Sequence, residues 1–456
     1  MTMHRPATAS ERGFLGTFLH ALQRGALECL QDALIVVAAN GTITAVLRHD
    51  SREIQAQAAR LQAAGGLVRL QPDHYVLPGM VDLHVHAPQW PQLGKALDLP
   101  LEDWLQKFTF PLESRYADTQ FAAQVYESLV ANLLANGTTT ALYFGTIHLA
   151  ATQALADICL RRSQRALIGR VAMDHAEQCP DFYRDASAAV ALRETREFIE
   201  YVRALPGGEG LIHPVITPRF IPSCTDDLLR RLGNLARETG CHVQTHCSES
   251  DWQHQHVLDR CGRTDAAALD SFGLLSRRTV LAHGNFVDDA DAALIRERGA
   301  GIAHCPLSNV YFSDAVFPLR RMLDAGVHVG LGTDIAGGAS ASLLENARQA
   351  VISSRLLEAG VDPRQTRAQR RRPDSRIDAV TAFWLATTGG GIALDLPVGL
   401  FLPGYQFDAC VIDAAAPQSN LRLASDDSPQ TVLQKIIYES ARANISQVWV
   451  ANRQVV

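Results

Sequence analysis

The sequence predicts an α/β protein: eight β/α units closed into a barrel, inserted between two halves of a small β domain. Three observations carry this. From about residue 75 onward, short β-type runs alternate with amphipathic helical stretches, the pattern of a parallel sheet. Eight such runs fit into about 260 residues, the size of a closed (β/α)8 barrel. Short alternating β segments occur in residues 28–76, and β character returns after roughly residue 390.

The flanking segments come first in the chain. DALIVVAANGTITAVL sets Asn40-Gly41 between apolar runs, a strong hairpin signal. GLFLPGYQFDACVIDA and SQVWVANRQVV at the other end are expected to complete the same sheet. MTMHRPATASERGFLGTFLH, at the start, matches no recognisable pattern. The eight barrel runs are YVLPGMVDLHVH, TTTALYF, ALIGRVAMD, HPVITPRF, HVQTHCSE, RTVLAHGN, GAGIAHCP and HVGLGTD. Between the fourth and fifth, Thr225 reads as an N-cap, Leu228, Leu229, Leu232 and Leu235 as one helical face, and Gly240 as the stop. The arginine-rich RQTRAQRRRPDSR, residues 364–376, reads as a solvated loop or helix end.

Composition narrows the function classes. The 456 residues are 47% hydrophobic and 20% charged, which supplies a large core. A formal charge of −6 offers no electrostatic basis for nucleic-acid or membrane-surface binding, so a small molecule is the expected partner. No apolar run has the length of a membrane span, the N-terminus lacks a secretory pattern, and the cytoplasm is expected. Nine irregularly spaced cysteines read as reduced thiols rather than a disulfide framework. His175-Ala176-Glu177 suggests the H-x-E of zinc nucleobase deaminases, but the P-C-x-x-C that fold requires is missing.

Chemistry concentrates where barrel active sites lie, at the C-terminal ends of the strands. His84 and His86 close the first run, and alternation along a strand puts them on the same side. His246 ends the fifth run, His283 the sixth and Asp334 the eighth. Taken singly, His283 could hydrogen-bond a backbone carbonyl and Asp334 could cap the following helix. Five metal-type side chains on one rim instead point to a metal site. Imidazoles plus one carboxylate favour zinc. A second ion needs a bridging group, and the fourth run contains no lysine to provide one, so a single ion is expected. Such an ion brings the pKa of water toward ~7. Glu249, three residues after His246, is placed to accept the proton.

Together PGMVDLHVHAPQW, QTHCSES, LAHGN, HCPLSN and GLGTDIAGG resemble the amidohydrolase superfamily. More narrowly, HVHAPQ, LPLEDWLQKFTFPLESRYAD and ITPRF resemble its guanine-deaminating family, with the similarity running from about residue 70 to the C-terminus. The resemblance implies a distorted (β/α)8 TIM barrel over residues 75–390, with a small β-sandwich formed from residues 1–74 and 391–456. It implies zinc-dependent hydrolysis of guanine to xanthine and ammonia, a step of purine catabolism, by a homodimer. His84, His86, His246 and Asp334 would bind the ion, while Glu249, His283 and Asp334 would carry the chemistry. His86, Ala87, Pro88, Gln89, Arg219, Phe220, His246, Glu249 and Asp334 would contact the substrate. An amide and a guanidinium suit the carbonyl and nitrogen edge of a purine, and Phe220 offers a stacking face. The competing expectation is a related mononuclear-zinc enzyme acting on a cytosine, adenosine-type or triazine ring, against which Gln89 and Arg219 speak.

Overall fold

The computed structural model describes residues 10–313 and 315–456. Two eight-stranded sheets organise the described residues. The first draws on both ends of the sequence: β1 (Arg12–Gln23), β2 (Ala26–Val37), β3 (Ile43–Leu47) and β5 (His74–Pro78) pair along one path with the strands Ala409–Asp413, Ile445–Val450 and Arg453–Gln454, and β4 (Leu67–Arg69) pairs with β1 off that path. Phe14, Phe18, Phe401, Phe407 and Trp449 fill its core. β1 begins well before the alternation read from residue 28. Gly13 and Gly16, with the register shift after Gly16, blur its period. Residues 1–9 of the unmatched N-terminal stretch lie outside the described residues.

The second sheet is the parallel barrel, in sequence order: β6 (Met80–His86), β7 (Thr138–Phe144), β8 (Arg165–Ala172), β9 (Ile212–Pro218), β10 (His242–Cys247), β11 (Thr279–His283), β12 (Gly301–His304) and β13 (His328–Leu331). All eight expected runs form strands. The first serves both sheets, because the chain leaves β5 and enters β6 across Gly79. A Cβ there would stand 2.1 Å from the Thr139 hydroxyl oxygen, so only glycine permits the crossing.

Beyond β13 the ladder closes onto β6. Asp334 donates its N–H to the His84 carbonyl at 2.8 Å and His86 donates to the Ile335 carbonyl at 2.9 Å. Buried Asp82 seals the seam, accepting from the Thr333 N–H at 2.9 Å and hydroxyl at 2.6 Å. The helix Asp226–Thr239 follows its sequence logic. Thr225 accepts from the Leu228 N–H, the four leucines are buried, and Gly240 takes the left-handed conformation. Residues 364–376 include one exposed turn of helix, Arg367–Arg370, and no helix of the described residues is long and apolar enough to cross a membrane.

Candidate active site

The ends of β6, β10 and β11 and the turn after β13 meet in one buried cluster. A register shift between Asp82 and Val85 bends β6 beside the site, and the rings of His84 and His86 lie 4.9 Å apart. Asp334 Oδ1 is 3.2 Å from His84 Nε2 and 3.7 Å from His86 Nε2, and its Oδ2 is 3.9 Å from His283 Nε2. His86 Nε2 and His246 Nε2 face each other at 2.9 Å. Neither modest alternative for His283 or Asp334 describes the geometry. The helix that follows is capped by Ser342 at Leu343, and His283 Nδ1 meets the Asn309 side-chain oxygen at 2.9 Å.

Both residues hold left-handed backbones, φ 74° for His283 and φ 50° for Asp334. Such conformations are rare without glycine, and they concentrate where packing over-determines a functional side chain. His246 donates Nδ1–H to the Arg219 carbonyl at 2.6 Å, which leaves Nε2 a bare lone pair aimed inward. The Nε2 atoms of His84 and His283 are buried and without a hydrogen-bond partner.

These orphaned nitrogens test whether a cation fits. Burial, first, and the neighbouring positive groups hold His84, His86 and His246 well below the usual histidine range, so all three are neutral donors. Tetrahedral zinc with Zn–N near 2.0–2.1 Å needs ligand atoms ~3.4 Å apart. The observed 2.9–3.7 Å spacings among His86, His246, His84 and Asp334 match that shell. The residues present therefore suit a divalent metal.

Glu249 lies just past β10, with Oε1 3.5 Å from His283 Nε2. Burial and the neighbouring Asp334 push its carboxyl well above the ordinary range. Above the cluster, an open pocket is lined by His86, Gln89, Arg219, Phe220, His246, Glu249 and Asp334, with Leu101, Trp104, Leu105 and Phe312 completing an apolar wall. Its mixture of an apolar wall with a few converging polar groups is the lining of a small-molecule site. Of the residues expected to meet the substrate, Ala87 and Pro88 are buried beside the cavity without lining it, and the Pro88 carbonyl accepts the Tyr116 hydroxyl. His175 and Glu177 sit in the loop after β8 and belong neither to the ligand cluster nor to the pocket lining.

Glu113 was not anticipated. It is fully buried, its Oε2 lies 2.6 Å from Arg219 Nη1, and its Oε1 accepts from Gln89 Nε2 at 2.9 Å. Trp104, Leu105 and Phe312 were also missed, because apolar side chains in a helix carry no mark separating a pocket wall from the core.

Comparison with known proteins agrees with this geometry. The amidohydrolase family model matches residues 75–455. The chain is 36% identical to a probable guanine deaminase of Schizosaccharomyces pombe, over 97% of this chain and 83% of that one. It is 35% identical to guanine deaminase of Homo sapiens, over 97% of this chain and 96% of the other. A crystal structure of guanine deaminase from C. acetobutylicum with bound guanine in the active site superposes with a TM-score of 0.86, at 28% identity, covering 98% of this chain and 100% of that one. With the barrel, the histidine-rich rim and these relatives in agreement, the chain belongs to the amidohydrolase family and, within it, to the guanine deaminases.

Proposed function

We propose that this protein hydrolyses guanine to xanthine and ammonia, using one zinc ion held by His84, His86, His246 and Asp334. The observation that carries the proposal is the meeting, at the base of one pocket, of four clustered ligand groups with the Glu249 carboxyl and the polar pair Gln89 and Arg219. The structural relative's bound guanine supports the choice of base. A zinc ion, when bound, supplies the Lewis acidity that makes a water molecule acidic near neutral pH.

The chain's own groups then manage protons and orientation. Glu249 accepts one proton from the attacking water and delivers it to a ring nitrogen of the purine. Oxygen bonds to C2 as that ring nitrogen is protonated. Asp334 and Glu249 pass the second water proton to the exocyclic nitrogen. The C2–N bond breaks, ammonia leaves, and the ring retains oxygen as the new carbonyl. His283, held by Asn309, stands beside the reacting oxygen as a hydrogen-bonding group. Gln89 and Arg219 bind the base edge, and Phe220, 5% exposed in the cavity wall, offers it a face. His86 lines the pocket, and Ala87 and Pro88 support from behind the turn that carries Gln89.

We further propose that the enzyme is a cytoplasmic homodimer. Nine unpaired cysteines among the described residues support a reducing compartment, and light scattering tests the dimer. Related zinc enzymes act on cytosine, adenosine-type or triazine rings, but the Gln89 and Arg219 pair favours a carbonyl-bearing purine. Incubation of purified protein with guanine, adenine, cytosine and a triazine, with ammonia release read against metal content, tests the proposal. Release from guanine, scaling with zinc, is expected. Preference for another ring would overturn it.

A further inference from the structure

We infer that Glu113 is a positioning residue that makes the base clamp a donor-only surface, and thereby sets the preference for a purine with a carbonyl at C6. The inference rests on the proposed guanine reaction and extends it to the origin of its selectivity.

Glu113 does not line the cavity, so it touches no substrate. It lies in the short helix Phe110–Ser114, within the long connection after β6, and is fully buried. Its partners are the two clamp residues. Oε2 accepts from Arg219 Nη1 at 2.6 Å, and Oε1 accepts from Arg219 Nη2 at 3.2 Å and from Gln89 Nε2 at 2.9 Å. Fixed, bidentate pairing of this kind specifies orientation as well as strength.

The contact with Gln89 has the larger consequence. An amide can be turned over, exchanging its oxygen and nitrogen, unless its neighbours distinguish the two ends. Here both ends are distinguished. Glu113 accepts from Nε2, while Oε1 accepts the Ala336 N–H at 3.3 Å. Turned over, the amide oxygen would face a carboxylate oxygen and the amide nitrogen would face a backbone N–H. Both contacts would be repulsive inside a water-excluded site. Glu113 therefore commits Gln89 to offering the base its remaining N–H.

Arg219 has only donors to give, and its positive charge is matched by the Glu113 carboxylate. The clamp thus presents N–H groups without a surplus charge, which suits a neutral base with acceptors along one edge. Guanine has such an edge, O6 with N7. An amino group at C6 replaces an acceptor by a donor, as in adenine. Donor against donor leaves buried groups unpaired, the situation that gives the strongest discrimination. A neutral amide in place of the Glu113 carboxylate removes this constraint. Its own nitrogen can face Gln89, whose oxygen is then the better partner, and the guanidinium loses its counter-charge.

The test compares guanine with 2,6-diaminopurine, which carries the same C2 amine but a donor at C6. Zinc-loaded wild type, Glu113→Gln and Glu113→Asp are assayed for ammonia release. In Glu113→Gln we expect KM for guanine to rise at least about tenfold with kcat changed less, and the guanine to diaminopurine ratio of kcat/KM to fall by at least about tenfold. Glu113→Asp, which keeps the charge, should recover part of both. An unchanged ratio, or an equal loss of kcat on both substrates with KM unmoved, overturns the inference. If Glu113→Gln does not fold, the ratio in Glu113→Asp decides: an intermediate value supports the role and a wild-type value refutes it. Calorimetric binding of the two purines to each protein gives the same comparison without turnover. A wild type that binds guanine selectively but releases no ammonia would refute the reaction and not the role of Glu113.

Discussion

His246 donates its Nδ1–H to the main-chain carbonyl of Arg219 at 2.6 Å, so the residue whose side chain is proposed to meet the base also orients, through its backbone, a proposed ligand of the ion. The two tasks are separable because they use different parts of one residue. Arg219→Gln should raise KM for guanine by at least about tenfold, the scale of one lost charged contact, while metal content stays at the wild-type level. Metal analysis beside steady-state kinetics checks this, and concurrent loss of zinc would show that the side chain also supports the metal shell.

Glu249→Gln removes the proton acceptor and keeps the shape. Turnover should fall by on the order of 10²–10⁴ or more, with zinc retained. Single-turnover assays on metal-loaded protein measure it. Retained activity, or metal lost together with activity, contradicts the assigned role.

Chelation should abolish activity and lower the melting temperature, because three neutral imidazoles and Asp334 then remain buried without their partner. An ion present at ~100 times its dissociation constant stabilises by about 2.7 kcal/mol, so the shift is measurable by calorimetry. Readdition of zinc should restore both. Recovery of the fold without recovery of activity would point to a different native metal.

His213 makes stability depend on acid. Burial, with neighbouring His242 and Arg165, lowers its pKa from 6.5 to about 4, and its Nε2 is buried without a partner. Below 6.5 the unfolded chain takes up a proton that the folded protein refuses until about 4. Stability from this group is therefore complete above 6.5 and declines as pH falls through that window, by roughly 2 kcal/mol at about pH 5. Urea melts of zinc-loaded wild type and His213→Gln at about pH 7 and about pH 5 isolate the effect, since the ligand histidines are common to both. The wild type should lose more stability on acidification. Parallel losses would exclude His213 as the source.

Much of this was legible in the chain, for physical reasons that differ by residue. The barrel strands show because each alternates with an amphipathic helix, and the buried cluster shows because His84, His86, His246, His283 and Asp334 each stand at or just past a strand end, where a buried polar group is conspicuous. Glu113 was invisible because its partners lie 24 and 106 positions away and FPLES reads like any helix start. β1 was hidden because its glycines and register shift erase the period-two pattern. The division of one run between two sheets at Gly79 depends on Thr139, which no local pattern reveals.

That shared run bears on how the protein is made. β5 pairs on one side with β1 and on the other with Ala409–Asp413, through contacts such as Leu77 with Cys410. A chain leaving the ribosome can complete every strand of the barrel and still display β5 as an open, adhesive border until its last fifty residues emerge. A chain stopped before residue 409 leaves that border unpaired and is expected to coalesce into aggregates.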